Sequence, residues 1–374
     1  MKRLESLDIL RGLDLFALTV FGPILYAFAG TGSYHWLEPV LAQCDHVEWA
    51  GFAVWDMIMP LFMFMSGVAI PFAFSKYIDG TKKRKEAYLR ILRRVIVLWV
   101  FGMIYQGHLL DLNIGTLKLF TNTLQSIAVG YLFAAVFFMN TKPRTQIGIV
   151  AGLLILYWAL MMSVRVGSYG GGDFTPDGNL CEYIDRVVMG RWRDHATVNA
   201  AGIVTFADSY RYTWILSSLG FIATTMTGTL AGVILKSDDS DRKKMLTLLV
   251  AGVAMVAAGW LWHLQMPVIK KIWTSSMVLV TSGYSFLLIL LFYYIVDYRG
   301  WKKGLQWLKI YGMNSIVAYM FVKVSFKSIG QSLLYGLEQY VGEAWYNLVL
   351  VLFNVIIVFF ILRYLYRHKI FLRV

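Results

Sequence analysis

Apolar runs of about 20 residues recur along the whole chain, separated by shorter polar stretches that are rich in basic residues. They fall at 9–28, 52–70, 91–107, 123–139, 147–162, 214–235, 245–262, 277–296, 307–324 and 345–365. A run of that length crosses roughly 30 Å of hydrocarbon as a helix, and a helix satisfies its own backbone where no water is present to do so. The pattern predicts an all-α, polytopic membrane helix bundle of about ten transmembrane helices. No long-period self-similarity and no low-complexity tract interrupts it, so neither a solenoid nor a pair of inverted repeats is supported. The simple reading is one transmembrane domain over 1–374, with an extracytoplasmic loop, 163–212, inserted within it.

Composition agrees: 58% of residues are hydrophobic and 15% charged, against roughly 25% charged in a soluble globular domain. A net charge of +13 would suggest nucleic acid in a soluble protein, but here the distribution of charge between loops is the informative part. With the N-terminus inside, one side carries Lys82, Lys83, Arg84, Lys85, Arg90, Arg93 and Arg94, then Lys142, Arg144, Lys236, Arg242, Lys243, Lys244, Lys302 and Lys303. The other carries far fewer cations, among them Lys118, Arg165, Arg186, Arg191 and Lys271. By the positive-inside rule both termini are expected in the cytoplasm, and no nucleic-acid partner is implied. The first helix reads as an uncleaved span rather than a signal peptide, although Ala27-Phe28-Ala29 has the small-x-small form of a cleavage site.

Cys44 and Cys181 both fall on the outer side in this topology. They are either bridged, which would pin the His46 loop to the large outer loop, or two free thiols. The outer loop, about 50 residues long, opens with glycines, Pro176 and the turn pair Asp177-Gly178. Its length suggests a cap over an outer site. The stretch 183–189 has apolar residues at helical spacing, to be read either as a helix lying on the membrane surface or as a solvated helical turn.

The strongest chemical signal is His46, followed by Trp49, Trp55 and Asp56 at the mouth of the second span. An imidazole can take a proton from a hydroxyl or amine, or attack a thioester itself, and ionisable groups at a membrane helix are costly enough to be functional suspects. On position alone a plain interfacial histidine with no chemistry is the favoured account. Along a continuous helix Asp56 would lie about 15 Å beyond His46 and about 80° off its face, so pairing them needs the loop to fold back. Pro60 crowds the carbonyl of Asp56, so a kink beside the carboxylate is expected, and Gly22-Pro23 interrupts the first helix at similar depth. Two bent helices around one cavity, or a packing kink alone, are the readings.

Arg11 stands three residues from both Asp8 and Asp14, as a structural ion pair or as an anion ligand. Arg90, Arg93 and Arg94 suit phosphate through their guanidinium forks, although topology alone would also put cations there. Asn122, Gln125, Asn314 and Ser315 are polar residues in or beside helices, fit to line a channel or to bond helix to helix. No Walker loop, zinc spacing or GxSxG elbow occurs, so nucleotide hydrolysis, metal catalysis and serine-hydrolase chemistry lack support, and no metal ligands are assigned.

At these residues the chain resembles the heparan-alpha-glucosaminide N-acetyltransferase family, within the wider transmembrane acyltransferase superfamily. The resemblance begins with Arg3-Leu4-Glu5-Ser6-Leu7-Asp8-Ile9-Leu10-Arg11-Gly12. It continues through Trp49, Gly51, Asp56, Pro60, Phe62, Phe64 and Gly67 after His46, then Leu124-Gln125, Asn179 with 183–186, Leu230-Ala231-Gly232, 267–273 and Gly312-Met313-Asn314-Ser315. The ordered set spans nearly the whole chain. Gly22 stands where relatives carry an asparagine, Ser126 where an arginine commonly follows the Leu-Gln pair, and the Asp-Pro-Glu-Gly usual before the sixth helix is missing, with only Asp208 nearby.

The resemblance implies acyl transfer across the membrane. Acetyl-CoA would be the donor, entering from the cytoplasm, and an outer amino sugar or glycan the acceptor. His46 falls on the family's essential histidine. The expected enzyme is therefore an acyl-CoA-dependent N- or O-acetyltransferase of the bacterial cytoplasmic (inner) membrane, with His46 and Asp56 as catalytic residues. Arg11, Arg90, Arg93, Arg94, Gln125 and Asn314 are the expected donor-binding residues. Expected partners are acyl-CoA, the sugar acceptor and the lipid bilayer, with a homo-oligomer left open. The rival reading is a non-enzymatic transporter or binding protein for a small polar solute, built on the same cavity and loop.

Overall fold

The computed structural model describes residues 4–107, 109–113, 115–199, 201–207 and 212–372. Its principal helices are α1 (Glu5–Phe16), α2 (Gly22–Ala29), α3 (Ile58–Ile78), α4 (Arg84–Gln106), α5 (Thr123–Asn140), α6 (Pro143–Ser163) and α7 (Leu180–Met189). They are followed by α8 (Ser218–Lys236), α9 (Asp241–Trp262), α10 (Ser275–Phe292), α11 (Gln306–Met313), α12 (Ser315–Met320) and α13 (Glu343–Arg367). Strand is confined to two short antiparallel hairpins, β1 (Arg165–Val166) with β2 (Tyr169–Gly170) and β3 (Ala196–Val198) with β4 (Val204–Phe206). The protein is an all-α polytopic membrane bundle.

Among the described residues eight helical segments are long and apolar enough to cross a membrane: Glu5–Ala29, Val54–Ile78, Thr123–Asn140, Pro143–Ser163, Ser218–Lys236, Asp241–Trp262, Ser275–Tyr298 and Glu343–Arg367. Two of the ten apolar runs in the sequence differ. The first lies in α4, a continuous helix of 23 residues, whose run carries Arg90, Arg93 and Arg94 at its start and so is less apolar than the other spans. The run at 307–324 is broken at Asn314, whose backbone at φ −119°, ψ 44° leaves the helix between α11 and α12.

The helices form two compact units, one of 1–46, 53–58 and 288–373, the other of 47–52 and 59–287. In the first, α1 and α11 touch backbone to backbone. A Cβ on Gly12 would stand 1.8 Å from the Leu308 carbonyl oxygen, and one on Gly312 1.8 Å from that of Asp8, so only glycine permits this approach. Polar bonds tie the ends of these helices: Glu5 meets Lys302 and Lys309 at 3.0 and 3.2 Å, and the Ser6 amide donates to Asp297 Oδ2 at 3.0 Å. Between α1 and α2 the chain makes a π turn, Ala17–Phe21. Pro23, lacking an N–H, follows directly, which fits the interruption read from Gly22-Pro23.

The second unit is centred on α8. Gly67 of α3 faces the Thr225 carbonyl, Gly228 faces that of Phe64, and Gly130 of α5 faces the Thr225 hydroxyl, each at a distance that excludes a methyl group. Thr224, Thr225 and Thr229 return their hydroxyls to carbonyls one turn back at 2.9, 3.0 and 3.1 Å, so these buried polar groups are satisfied within their own helix.

The outer loop is built on α7. The stretch 183–189 is part of a regular helix rather than a lone solvated turn; the helix buries Leu180, Cys181, Asp185 and Met189 and leaves Val187 and Val188 exposed. Its apolar face joins Tyr157 and Met161 of α6 and Met266, Ile269 and Ile272 of the segment before α10. Both cysteines are free thiols. Cys181 Sγ sits 3.0 Å from the Tyr157 hydroxyl, and burial pushes its thiol up to about 12.

Candidate active site

The chain enters α3 through a tight turn. Ala53 is extended, Val54–Met57 forms a single 3₁₀ turn, and the α-helix begins at Ile58. Pro60 therefore occupies the first turn of the α-helix, where its missing N–H costs nothing. The kink expected inside a continuous helix is instead this tightened entry. Asp56 closes the turn on itself: its amide donates to the Ala53 carbonyl at 3.0 Å, and its Oδ2 accepts the Ala53 amide at 3.1 Å.

The second carboxylate oxygen reaches His46. Asp56 Oδ1 lies 2.8 Å from His46 Nδ1, so the loop does fold back and the separation expected along a continuous helix disappears. The two environments are unlike. The Asp56 side chain is 3% exposed, whereas the imidazole is 41% exposed. With Nδ1–H donating to the carboxylate, the basic lone pair belongs to Nε2.

Three supports around this pair escaped sequence reasoning. The Tyr26 hydroxyl donates to the Cys44 carbonyl at 2.8 Å, Gln43 Oε1 accepts the Val54 amide at 3.2 Å, and Asp45 Oδ1 accepts the His46 amide at 2.7 Å. The absent side chain of Gly22 makes a fourth. A Cβ there would stand 2.6 Å from Cη2 of Trp55, the residue preceding Asp56. A glycine beside a proline in a membrane span was the available signal, and it was read only as a bend.

In the second unit, the strand-like segment after His46 is pinned to the stretch before α10. Ala50 bridges Ile269, the Gly51 amide donates to the Val268 carbonyl at 2.8 Å, and Lys271 Nζ donates to the Glu48 carbonyl at 2.6 Å. The Trp49 indole donates to the Phe174 carbonyl of the segment after α6 at 2.8 Å. Residues 267–273 stood out in the sequence only as a family match, because a buried non-helical segment leaves no periodic signature.

The remaining candidates divide between the units. In the first, Arg11 Nη1 lies 3.8 Å from Asp8 Oδ1, so its ion pairing runs toward Asp8. Asn314 is spent on the backbone: Nδ2 donates to the Ile370 carbonyl at 3.1 Å and Oδ1 accepts the Leu372 amide at 3.2 Å. In the second unit, Arg94 stacks 4.1 Å above the Tyr131 ring and donates to Ser66 Oγ at 3.4 Å, while its buried Nε has no hydrogen-bond partner. Arg90 sits 5.8 Å over Tyr77, and Arg93 is exposed. Gln125 is fully buried, its Oε1 accepting the Thr121 amide at 2.8 Å and its Nε2 donating to the Leu119 carbonyl at 2.7 Å. The amides of Gln125 and Asn314 thus hold non-helical backbone in place, the frame-building reading of such residues. Asp208 lies outside the described residues. Among the described residues no three His, Cys, Asp or Glu side chains converge as a metal site.

A membrane bundle whose outer turn couples a half-exposed imidazole to a buried carboxylate defines a polytopic protein with an acid–base pair at a helix mouth. Residues 3–173 match a family described as a domain of unknown function, DUF5009. The chain is 24% identical to heparan-alpha-glucosaminide N-acetyltransferase of Homo sapiens over 85% of its own length and 52% of that protein's. For the same-named protein of Mus musculus the identity is 23%, over 85% and 53%. The chain is thus similar to the heparan-alpha-glucosaminide N-acetyltransferases of both organisms, and it spans about half the length of these curated relatives.

Proposed function

We propose that this protein is a transmembrane acyltransferase, moving an acetyl group from cytoplasmic acetyl-CoA to the amine or hydroxyl of an extracytoplasmic sugar. The observation that carries the reading is the 2.8 Å bond between His46 Nδ1 and buried Asp56. It selects the tautomer with a basic Nε2 and places negative charge where imidazolium charge would develop. The printed names of the human and mouse relatives supply the reaction class.

Two routes use the same nitrogen. In a one-step transfer, Nε2 takes the proton from the acceptor amine as its nitrogen bonds to the thioester carbon, and the C–S bond breaks to release CoA. In a two-step transfer, Nε2 itself bonds to the carbonyl carbon, CoA leaves, and the acceptor amine then displaces the imidazole. Arg90, Arg93 and Arg94, together in the first half of α4, are the proposed CoA phosphate ligands, with Arg11 as a further candidate. Gln125 and Asn314 act in this reading by fixing backbone. The bacterial inner membrane is the proposed location, and the outer loop the proposed cap.

The test is thioester consumption by purified protein in lipid nanodiscs, with acetyl-CoA and a panel of amino sugars, read by mass spectrometry of the acylated product. Product formation that disappears in His46→Ala supports the proposal. Full activity in that variant overturns His46 as the acid–base group, and solute uptake into liposomes without any thioester consumption would favour a transporter instead.

A further inference from the structure

A second polar site lies away from the dyad, within the second unit. The segment between α4 and α5 is joined to the outer loop between α6 and α8 by a bond from the Leu119 amide to the Trp192 carbonyl, 3.2 Å. Both segments follow the far ends of α4 and α6, away from the basic residues Arg84, Lys85, Arg90 and Arg144 near the starts of these helices. Between them is an open groove of about 820 Å³ whose walls include Asn113, Thr116, Lys118, Arg191 and Thr197.

One of its two cations is held in place. Lys118 Nζ donates to the Arg191 and Ala196 carbonyls at 3.1 and 2.6 Å, which fixes the ammonium in the wall and leaves its third proton. Arg191 Nε is buried with no hydrogen-bond partner, so the donors this guanidinium can offer to the groove are its terminal nitrogens. Asp194 lies close enough to act on Lys118, yet its carboxylate is engaged by the Trp214 indole at 3.2 and 3.3 Å. Glu182 is taken by Arg186 and Arg193. Neighbouring His195 reports the local field: burial, then the charges of Arg193 and Lys118, hold its pKa below the usual imidazole range.

We propose that this groove is an oxyanion-binding site on the outer face, taking a sulfate, carboxylate or phosphate group carried by an acidic saccharide or by a lipid headgroup. Arg191 supplies a planar fork and Lys118 a point charge, a pairing suited to tetrahedral or planar oxyanions. Asn113, Thr116 and Thr197 add neutral hydrogen-bonding groups for the rest of the ligand. The inference goes beyond acyl transfer and requires no thioester.

The experiment is thermal shift of the full chain in zwitterionic nanodiscs, titrated with sodium sulfate and with glucosamine 6-sulfate, using chloride at matched ionic strength and unsulfated glucosamine as references. Sulfate and the sulfated sugar should stabilise the protein, and Arg191→Gln should weaken that binding at least about fivefold, the scale of one charge-assisted pair. Where Arg191→Gln does not fold, Arg191→Lys, which keeps the charge but loses the fork, is read for the same weakening. A second arm replaces the lipid with phosphatidylglycerol and omits sugar: stabilisation there that depends on Arg191 and abolishes the sulfate response assigns the site to a lipid headgroup. Equal responses of wild type and variant in both arms, or no response to millimolar sulfate, would overturn the proposal. Since no acyl donor is present, either result leaves the acyltransferase reading to its own test.

Discussion

Asp56, in the turn that enters α3, and Asp185, inside α7, are both buried carboxylates that accept backbone amides, yet they are built for different ends. Asp185 spends both oxygens on the backbone, accepting the Trp214 amide at 2.7 Å and the Ile215 amide at 2.9 Å. Asp56 spends one oxygen on the Ala53 amide and turns the other to an imidazole that is half in solvent. The first arrangement ends in the protein and staples a loop to the start of a helix. The second connects the interior to a group that a substrate can reach. A buried carboxylate is thus read by where its last hydrogen bond leads rather than by its burial.

The comparison breaks most sharply at His46. Replacing it with alanine should lower acyl transfer by about 10²- to 10⁴-fold, the range of a lost general base, and by more if the imidazole carries the acyl group. The melting temperature should stay within a few degrees, because a half-exposed side chain contributes little packing. Steady-state product formation alongside thermal unfolding checks both halves, and equal losses in the two would assign His46 to structure.

Asp56→Asn sharpens the same point one bond inward. The asparagine can still cap the Ala53 amide, but it no longer fixes the donor tautomer of His46, so transfer should fall about 10- to 10³-fold with a stability loss of roughly 1–2 kcal/mol. Asp185→Asn should leave transfer unchanged in the same assay. A matching loss of transfer in both variants would erase the distinction drawn between them.

Gly22→Ala comes next in size. Its methyl group would collide with the Trp55 ring at 2.6 Å, and overpacking of this kind costs about 1–3 kcal/mol. Trp55 adjoins Asp56, so the variant should lower transfer and stability together, unlike His46→Ala. Unchanged melting and activity in Gly22→Ala would show that the ring has room to move.

The bundle was legible because membrane helices must satisfy their backbone internally and face lipid, which writes long apolar runs into the chain. What those runs could not convey was continuity. Asn314 interrupts 307–324 without a proline or glycine at the break, since the cause is a tertiary clamp on Ile370 and Leu372 rather than a local propensity. The dyad was half legible. His46 and Asp56 stood out by chemistry, but their pairing depended on a 3₁₀ entry that helical geometry argued against, and Pro60 was the one local hint that the α-helix starts after the carboxylate. The grip of 266–273 on the chain after His46 was invisible for the same reason as Asn314: its partners are distant in sequence, and buried irregular backbone has no period.

The last effect is a pH dependence that leaves transfer untouched and separates the two carboxylates by stability alone. Burial raises the Asp185 pKa to about 7, outweighing the Ile215 and Trp214 amides that favour its charged form, whereas an unfolded aspartate titrates near 3.9. Between those values the folded protein binds a proton that the unfolded chain does not, so this group's contribution to stability falls as pH rises from about 4 to about 7 and changes little above that. Asp185→Asn removes the titration: its amide oxygen retains one backbone bond and its NH₂ opposes the other, costing about 1 kcal/mol at the acid end. The wild-type melting temperature should therefore decline more steeply than the variant's from pH 4 to pH 7, and the two curves should run parallel above pH 7. A variant whose curve keeps the wild-type slope through that window would mean that Asp185 stays ionised when folded, its two amides then matching the cost of burial, and that it resembles a solvated cap more than a buried staple.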